Sequence, residues 1–352
     1  MTIDTPTRSE DATAQADRST STDTIATDKQ PLLDVQDMKI HFPQTSGFIR
    51  KKTQWVKAVD GISFQLQAGE TLGLVGESGC GKSTSGRGIT HLIKPTDGRI
   101  VLNGEDLENL KPETLRQRRR DMQMVFQDPY ASLNPRLRVE DILAEPLKAH
   151  GLGNKAERRA RINDMLDVVG LNRGYALRYA HEFSGGQRQR IGIARALILN
   201  PHLIIADEPV AALDVSIQAQ ILNLLKDLQD EFGLAYLFIS HDLSVVRHLC
   251  HRTAVMYLGR IVEIGDTEEI FKNPMHPYTR SLLDAIPVSN PRQRRERTIL
   301  RGDVPSPVNP PKGCAFVGRC PEVHARCHEV RPQLINQDKK DHQVACHLHD
   351  PT

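Results

Sequence analysis

The feature that most constrains this chain is a nine-residue run, Gly76, Glu77, Ser78, Gly79, Cys80, Gly81, Lys82, Ser83 and Thr84. It matches the phosphate-loop pattern G-x-x-x-x-G-K-[ST]. A short apolar run, Thr71 to Val75, precedes it and reads as a buried strand. A helix is expected from Lys82 to about His91. The glycines permit a tight turn whose backbone N–H groups converge on a phosphate chain, and the helix start adds its positive end. Lys82 would reach the β- and γ-phosphates, and Ser83 would hold Mg²⁺. A chance glycine turn is the competing reading, and the strand before and helix after weigh against it. The chain is therefore expected to bind a nucleoside triphosphate.

Bulk properties narrow the setting. At 352 residues there is room for one large or two ordinary domains with a full core. The net charge of +2 argues for no general nucleic-acid role. No apolar run is long enough to span a bilayer, and the first residues lack a signal peptide's apolar centre. A cytosolic chain that docks on membrane partners is the expectation. Residues 1–30, rich in Thr, Asp, Ser and Ala, read as a disordered leader.

Residues 31–272 read as α/β. Strands are expected at Leu33–Phe42, Val56–Leu66, Gly98–Leu102 and Met122–Phe126, with Thr45–Gln54 as a loop and Asn103-Gly104 as a hairpin turn. Pro112 to Arg120 reads as a basic helix whose arginines form a solvated face. Helical periodicity at Arg138–His150 and Lys155–Val169 makes a helical insert of about residues 128–182. Ser184 is a good N-cap for a helix running to about Leu199. Buried strands at Leu203–Ala206 and Ala235–Ile239 flank a helix at Ser216–Phe232, and Thr253–Tyr257 pairs with Arg260–Ile264 around Leu258-Gly259. This alternation implies a mainly parallel sheet. Beyond residue 273 proline becomes frequent, Arg292 to Arg297 is a charge run, and a Cys- and His-rich tail follows.

Four further features restrict what is done with the triphosphate. Asp207 and Glu208 end a buried strand; Asp207 suits Mg²⁺ and Glu208 could polarise an attacking water. Gln127 opens a loop after a strand, where it can touch Mg²⁺ or that water. His241 follows the next buried strand and can hydrogen-bond a γ-phosphate. Each alone has an ordinary structural reading. Finally, Ser184, Gly185, Gly186 and Gln187 make a second anion site at a helix start. One nucleotide does not need both sites, whereas two chains facing head to tail could share them.

In residue order and type, Leu33 to Ile286 resembles the ATP-binding-cassette (ABC) ATPases. The signature Phe183–Gln187 begins with Phe where Leu is commoner, and Val210 and Ala211 replace a more usual Thr-Ser. The resemblance implies an antiparallel β subdomain and a helical subdomain around the phosphate-loop core. It implies two ATPase domains enclosing two ATP molecules. Lys82, Ser83, Thr84, Gln127 and Asp207 would hold phosphates and Mg²⁺, Glu208 would be general base, and His241 the γ-phosphate sensor. Ser184, Gly186 and Gln187 would complete the partner's site, Asp214 lies in the adjoining loop, and Phe42 would stack on adenine. Trp55 is the weaker aromatic candidate because a loop is expected to separate it.

Residues 125–135, Asp214–Gln220 and Asn273–Arg280 resemble the oligopeptide/dipeptide importer branch, specifically its second ATPase subunit. That implies a sister ATPase, two membrane permeases and an extracytoplasmic binding protein, with the chain peripheral on the cytoplasmic face. Relatives of that type import dipeptides, oligopeptides, glutathione or nickel. A soluble cassette protein working on nucleic acid or ribosomes is the alternative in another class; the single cassette and the tail count against it. An inactive regulatory cassette is counted against by the intact Lys82, Asp207, Glu208 and His241. The tail thiols Cys314, Cys320, Cys327 and Cys346 suit a metal site. Without a C-x-x-C knuckle the spacing favours a [4Fe-4S] cluster over zinc, and unligated thiols remain the third reading.

Overall fold

A computed structural model of the protein describes residues 30–46, 52–286, 302, 305–337 and 341–350. The expected leader (residues 1–29 of it) and the charge run at 292–297 lie outside the described residues, as does the middle of the expected 45–54 loop.

Two sheets are built from two kinds of sequence. β1 (Leu33–Ser46), β2 (Lys52–Leu66), β4 (Asp97–Leu102) and β5 (Glu105–Asp106) form an antiparallel sheet in the order β2-β1-β4-β5. The hairpin ladder continues through Phe42↔Val56, Pro43↔Trp55 and Gln44↔Gln54 to Ser46↔Lys52. The described ends of the expected 45–54 loop, residues 45–46 and 52–54, are thus strand. Those residues are polar on both faces, so alternation carries no signal there. Phe42 and Trp55 sit on successive rungs, which puts them on opposite faces of the ribbon.

The second sheet has eight strands in the order β11-β12-β10-β9-β3-β8-β7-β6. β3 (Thr71–Val75), β6 (Met122–Val125), β7 (Leu203–Asp207), β8 (Ala235–Ser240) and β9 (Arg252–Tyr257) are parallel neighbours. Every residue of β3, β7 and β8 is buried, which is why these strands read as continuous apolar runs. β10 (Arg260–Asp266) pairs antiparallel with β9. β12 (Gln343–Val344) and β11 (Ile335–Asn336) then add two short strands from the C-terminal region to the same sheet. Tail and catalytic core are therefore hydrogen-bonded through one continuous sheet.

Helices cover this sheet. α1 (Lys82–Ile89) follows the phosphate loop and α2 (Pro112–Arg118) the β4–β5 hairpin. α3 (Pro129–Ser132), α4 (Val139–Ala149) and α5 (Lys155–Val168) make the helical insert, and α6 (Gly185–Leu197) returns to the core. α7 (Val215–Phe232) ends on Gly233 in a left-handed conformation. α8 (Leu243–Leu249), α9 (Thr267–Lys272), α10 (Pro277–Asp284) and α11 (Ala325–Glu329) complete the described helices.

Candidate active site

The parallel strands point their C-terminal ends at one cleft of about 530 Å³. This is where ligands bind in open α/β sheets. Ser78, Gly79, Gly81, Lys82, Ser83 and Thr84 line one wall, Gln127, Glu208 and His241 the other, with Ala58 of β2 at the edge. Residues far apart in sequence are brought together because β3, β6, β7 and β8 are neighbours in the sheet and each ends at this point.

Backbone geometry explains the glycines. Gly81, the N-cap of α1, has φ 110°, and a Cβ there would lie 2.2 Å from the Ala58 carbonyl oxygen. Gly76 has φ 151°, and its Cβ would meet the Met256 carbonyl oxygen at 2.2 Å. No side chain caps α1, so the N–H groups at its start are left for a ligand. Lys82 is folded back on the loop, its Nζ donating to the carbonyls of Gly76 (2.8 Å) and Glu77 (3.1 Å).

The carboxylates play separate parts. Asp207 is buried and accepts the Ser83 hydroxyl at 2.7 Å. Burial pushes its carboxyl above the usual range, against the Ser83 hydrogen bond and the charges of Arg87 and Lys82. A buried carboxylate facing a serine hydroxyl is a donor set that fits Mg²⁺ carried in with a triphosphate. Glu208 turns the other way. Its backbone sits at φ 45°, unusual for a non-glycine residue, and its N–H donates to Ile239. Its Oε2 accepts from Gln127 Nε2 at 2.8 Å and lies 3.1 Å from His241 Nδ1. Gln127, Glu208 and His241 thus form one constellation at the cleft wall.

Not every expected residue is here. Ser184, Gly185, Gly186 and Gln187 start α6 away from the cleft lining. Their glycines have a packing reason: a Cβ on Gly186 would meet Ile217 Cγ2 at 2.5 Å, and one on Gly185 would meet Leu213 at 3.3 Å. Ser184 and Gln187 close a capping box on each other. Asp214 is the exposed N-cap of α7. Phe42, 37% exposed, lies on the β1–β2 ribbon outside the cleft lining. Cys80 is buried with its thiol turned into the core, and burial raises its pKa. Glu77 faces out of the cleft toward Arg319 and Tyr278 of the C-terminal region, contacts that no sequence pattern announced.

The four tail cysteines converge. Burial first, then the nearby charges of Cys327, Cys346 and Cys320, push Cys314 up to about 11. Cys346 is likewise pushed up to about 11, by burial and then by Cys320 and Cys327. Among the described residues, however, no three His, Cys, Asp or Glu side chains are arranged to grip a single metal ion.

Comparison with known proteins assigns the architecture. The ABC transporter family model matches residues 59–211, and that of the oligopeptide/dipeptide transporter C-terminal region matches 262–327. The oligopeptide transport ATP-binding protein AppF of Bacillus subtilis is 54% identical over 327 residues, 92% of this chain and 99% of the relative. This chain belongs to the ABC transporter ATPase family. OppF of Escherichia coli, also an oligopeptide transport ATP-binding protein, is 51% identical over 92% of this chain and 98% of its own length. DppF of Haemophilus influenzae, a dipeptide transport ATP-binding protein, is 52% identical over 90% and 96%. Among solved structures, an ATP-binding cassette in a dimeric post-hydrolysis state with ADP and Pi superposes with a TM-score of 0.58 at 29% identity, covering 67% of this chain and 98% of that one. CbiO1 of Clostridium perfringens gives 0.58 at 26% identity, over 69% and 91%. The cassette fold explains why the phosphate loop, Gln127, Glu208 and His241 share one cleft while the signature helix stands apart from it.

Proposed function

We propose that this cassette is the ATP-hydrolysing subunit of a peptide importer, working on oligopeptides or dipeptides. The single observation that carries the reading is the Gln127–Glu208–His241 constellation facing an uncapped phosphate loop, in a chain whose peptide-transporter relatives match it almost end to end. Lys82 leaves the Gly76 and Glu77 carbonyls to meet the β- and γ-phosphates. Ser83 and Asp207, with Gln127, hold Mg²⁺. Glu208 takes the proton from the attacking water, oriented by Gln127, and His241 bonds the γ-phosphate. Ser184–Gln187 of another cassette closes the site from outside, which accounts for their separation from this chain's own cleft.

The partners that follow are a sister ATPase, two membrane permeases and an extracytoplasmic binding protein, with this subunit peripheral on the cytoplasmic side. Among the described residues no helix is long and apolar enough to cross a membrane. Peptide uptake in cells lacking this chain tests the reading. Loss of di- or oligopeptide uptake, restored by the wild-type gene, is expected; unimpaired peptide uptake with loss of nickel or glutathione uptake would overturn it.

For the tail, we infer that Cys314, Cys320, Cys327 and Cys346 hold a [4Fe-4S] cluster. Burial and neighbouring thiols push Cys314, Cys320 and Cys346 up, so unligated they stay protonated, and a cationic centre is what would draw them into thiolate ligands. The wide spacing of these cysteines, with no C-x-x-C knuckle, favours the cluster over zinc. Iron and acid-labile sulfide, with brown colour after anaerobic purification, are expected; a colourless, iron-free, zinc-loaded protein would overturn this.

A further inference from the structure

Glu77, the second residue of the phosphate loop, is held from outside the cleft by the C-terminal region. Arg319 forms a two-pronged ion pair with it, Nη1 to Oε2 at 2.7 Å and Nη2 to Oε1 at 3.0 Å. The Arg319 side chain is only 8% exposed, so solvent screens this pair little. The Glu77 backbone N–H donates to the Tyr278 hydroxyl at 2.8 Å. Tyr278 is fully buried and packs edge-on to Tyr257, which packs edge-on to Phe316. On the cleft side, the Glu77 carbonyl is one of the two on which Lys82 rests. A continuous path thus runs from tail to Arg319, to Glu77, to the lysine that meets the phosphates.

We propose that Arg319 is a positioning residue for ATP binding, fixing the phosphate loop through Glu77 with Tyr278 as second anchor. The loop's glycines leave its backbone permissive, and a cradle that must hold its N–H groups convergent before the phosphates arrive gains from an external brace. Arg319 itself is set by the turn between two tail cysteines: its N–H donates to the Phe316 carbonyl, and that of Val317 to the Cys314 carbonyl. Whatever orders those cysteines therefore also orders the ATP site. This proposal rests on the ATP-binding reading above.

The test is Mg·ATP affinity of the full chain by titration calorimetry, with KM and kcat in the assembled transporter. Arg319→Ala and Glu77→Gln should each weaken ATP binding about tenfold, the loss expected for a charge-assisted two-pronged pair. The double variant should be no weaker than the worse single variant, because both remove one interaction. KM should rise while kcat stays within about threefold, since ground state and transition state share the loop contacts. Arg319→Lys should recover part of the affinity, and Arg247→Ala, which breaks an exposed pair with Glu268, should change nothing. Absence of ATP binding by the wild type would sink the ATP reading itself. Wild-type binding matched by Arg319→Ala would overturn this proposal alone. Should Arg319→Ala fail to fold, wild-type affinity in both Arg319→Lys and Glu77→Gln would overturn it equally.

Discussion

Two helix starts in this chain have nearly the same composition and opposite finishes. α1 begins after Gly79 and Gly81 with no side-chain cap, and its N-cap is left-handed. α6 begins after Ser184 in an extended conformation, with Ser184 and Gln187 bonding each other's backbone N–H. Glycines at α1 are required by the turn; those at α6 let its first turn pack on Ile217 and Leu213. One start keeps its donors for a ligand inside its own cleft, with Asp207 and Glu208 nearby. The other satisfies itself and presents an exposed serine. A glycine- and hydroxyl-rich helix start thus offers its donors within its own cleft only when its cap is left open.

The largest effect that sharpens this contrast is chemical. Glu208→Gln keeps the α1 side intact and removes the proposed base, so ATP turnover should fall at least about 100-fold while ATP still binds; unchanged hydrolysis would refute Glu208 as base. Next comes acid. Tyr278, which braces the α1 loop, belongs to a helix capped by His276, and burial pushes that imidazole down to about 4. An unfolded histidine titrates near 6.5. The unfolded state therefore binds the proton first, and this stability is full above that pH and lost as pH falls toward the folded value. Denaturant titrations at pH 7 and pH 5 should differ by about 2 kcal/mol from this group, a difference absent in His276→Asn. Packing gives a similar, strictly local effect. A Cβ on Gly86 of α1 would lie 2.8 Å from Ile205 Cγ2 and 3.0 Å from Ile239 Cδ1, so Gly86→Ala should cost about 2 kcal/mol. The smallest effect has the opposite sign: Gly192 of α6 has nothing within 4 Å of its Cβ position, and Gly192→Ala should stabilise by about 1 kcal/mol.

The core was legible because buried parallel strands write themselves as unbroken apolar runs, each ending in a chemical residue: Val75 before the loop, Asp207 and Glu208, His241. The outer rungs of the β1–β2 ladder, Gln44↔Gln54 to Ser46↔Lys52, were not, because residues polar on both faces leave no period to read. Nor were the braces. Arg319 and Glu77 are 242 residues apart, and nothing local marks an arginine in a Cys-rich turn as the partner of a loop glutamate. The tail's two short strands, β11 and β12, are two residues each, too short for any pattern. Composition alone marked a boundary near residue 273, whereas β12 pairs across it with β10.

On the function proposed above, α1 and α6 are halves of sites completed only between cassettes. Mg·ATP affinity and turnover, measured side by side on Ser184→Arg in the assembled transporter, test it most directly. The account predicts that affinity at the intact α1 loop stays at the wild-type value while turnover falls on the order of 10²-fold, the loss expected when donors to a reacting phosphate are removed. Unchanged turnover would contradict it.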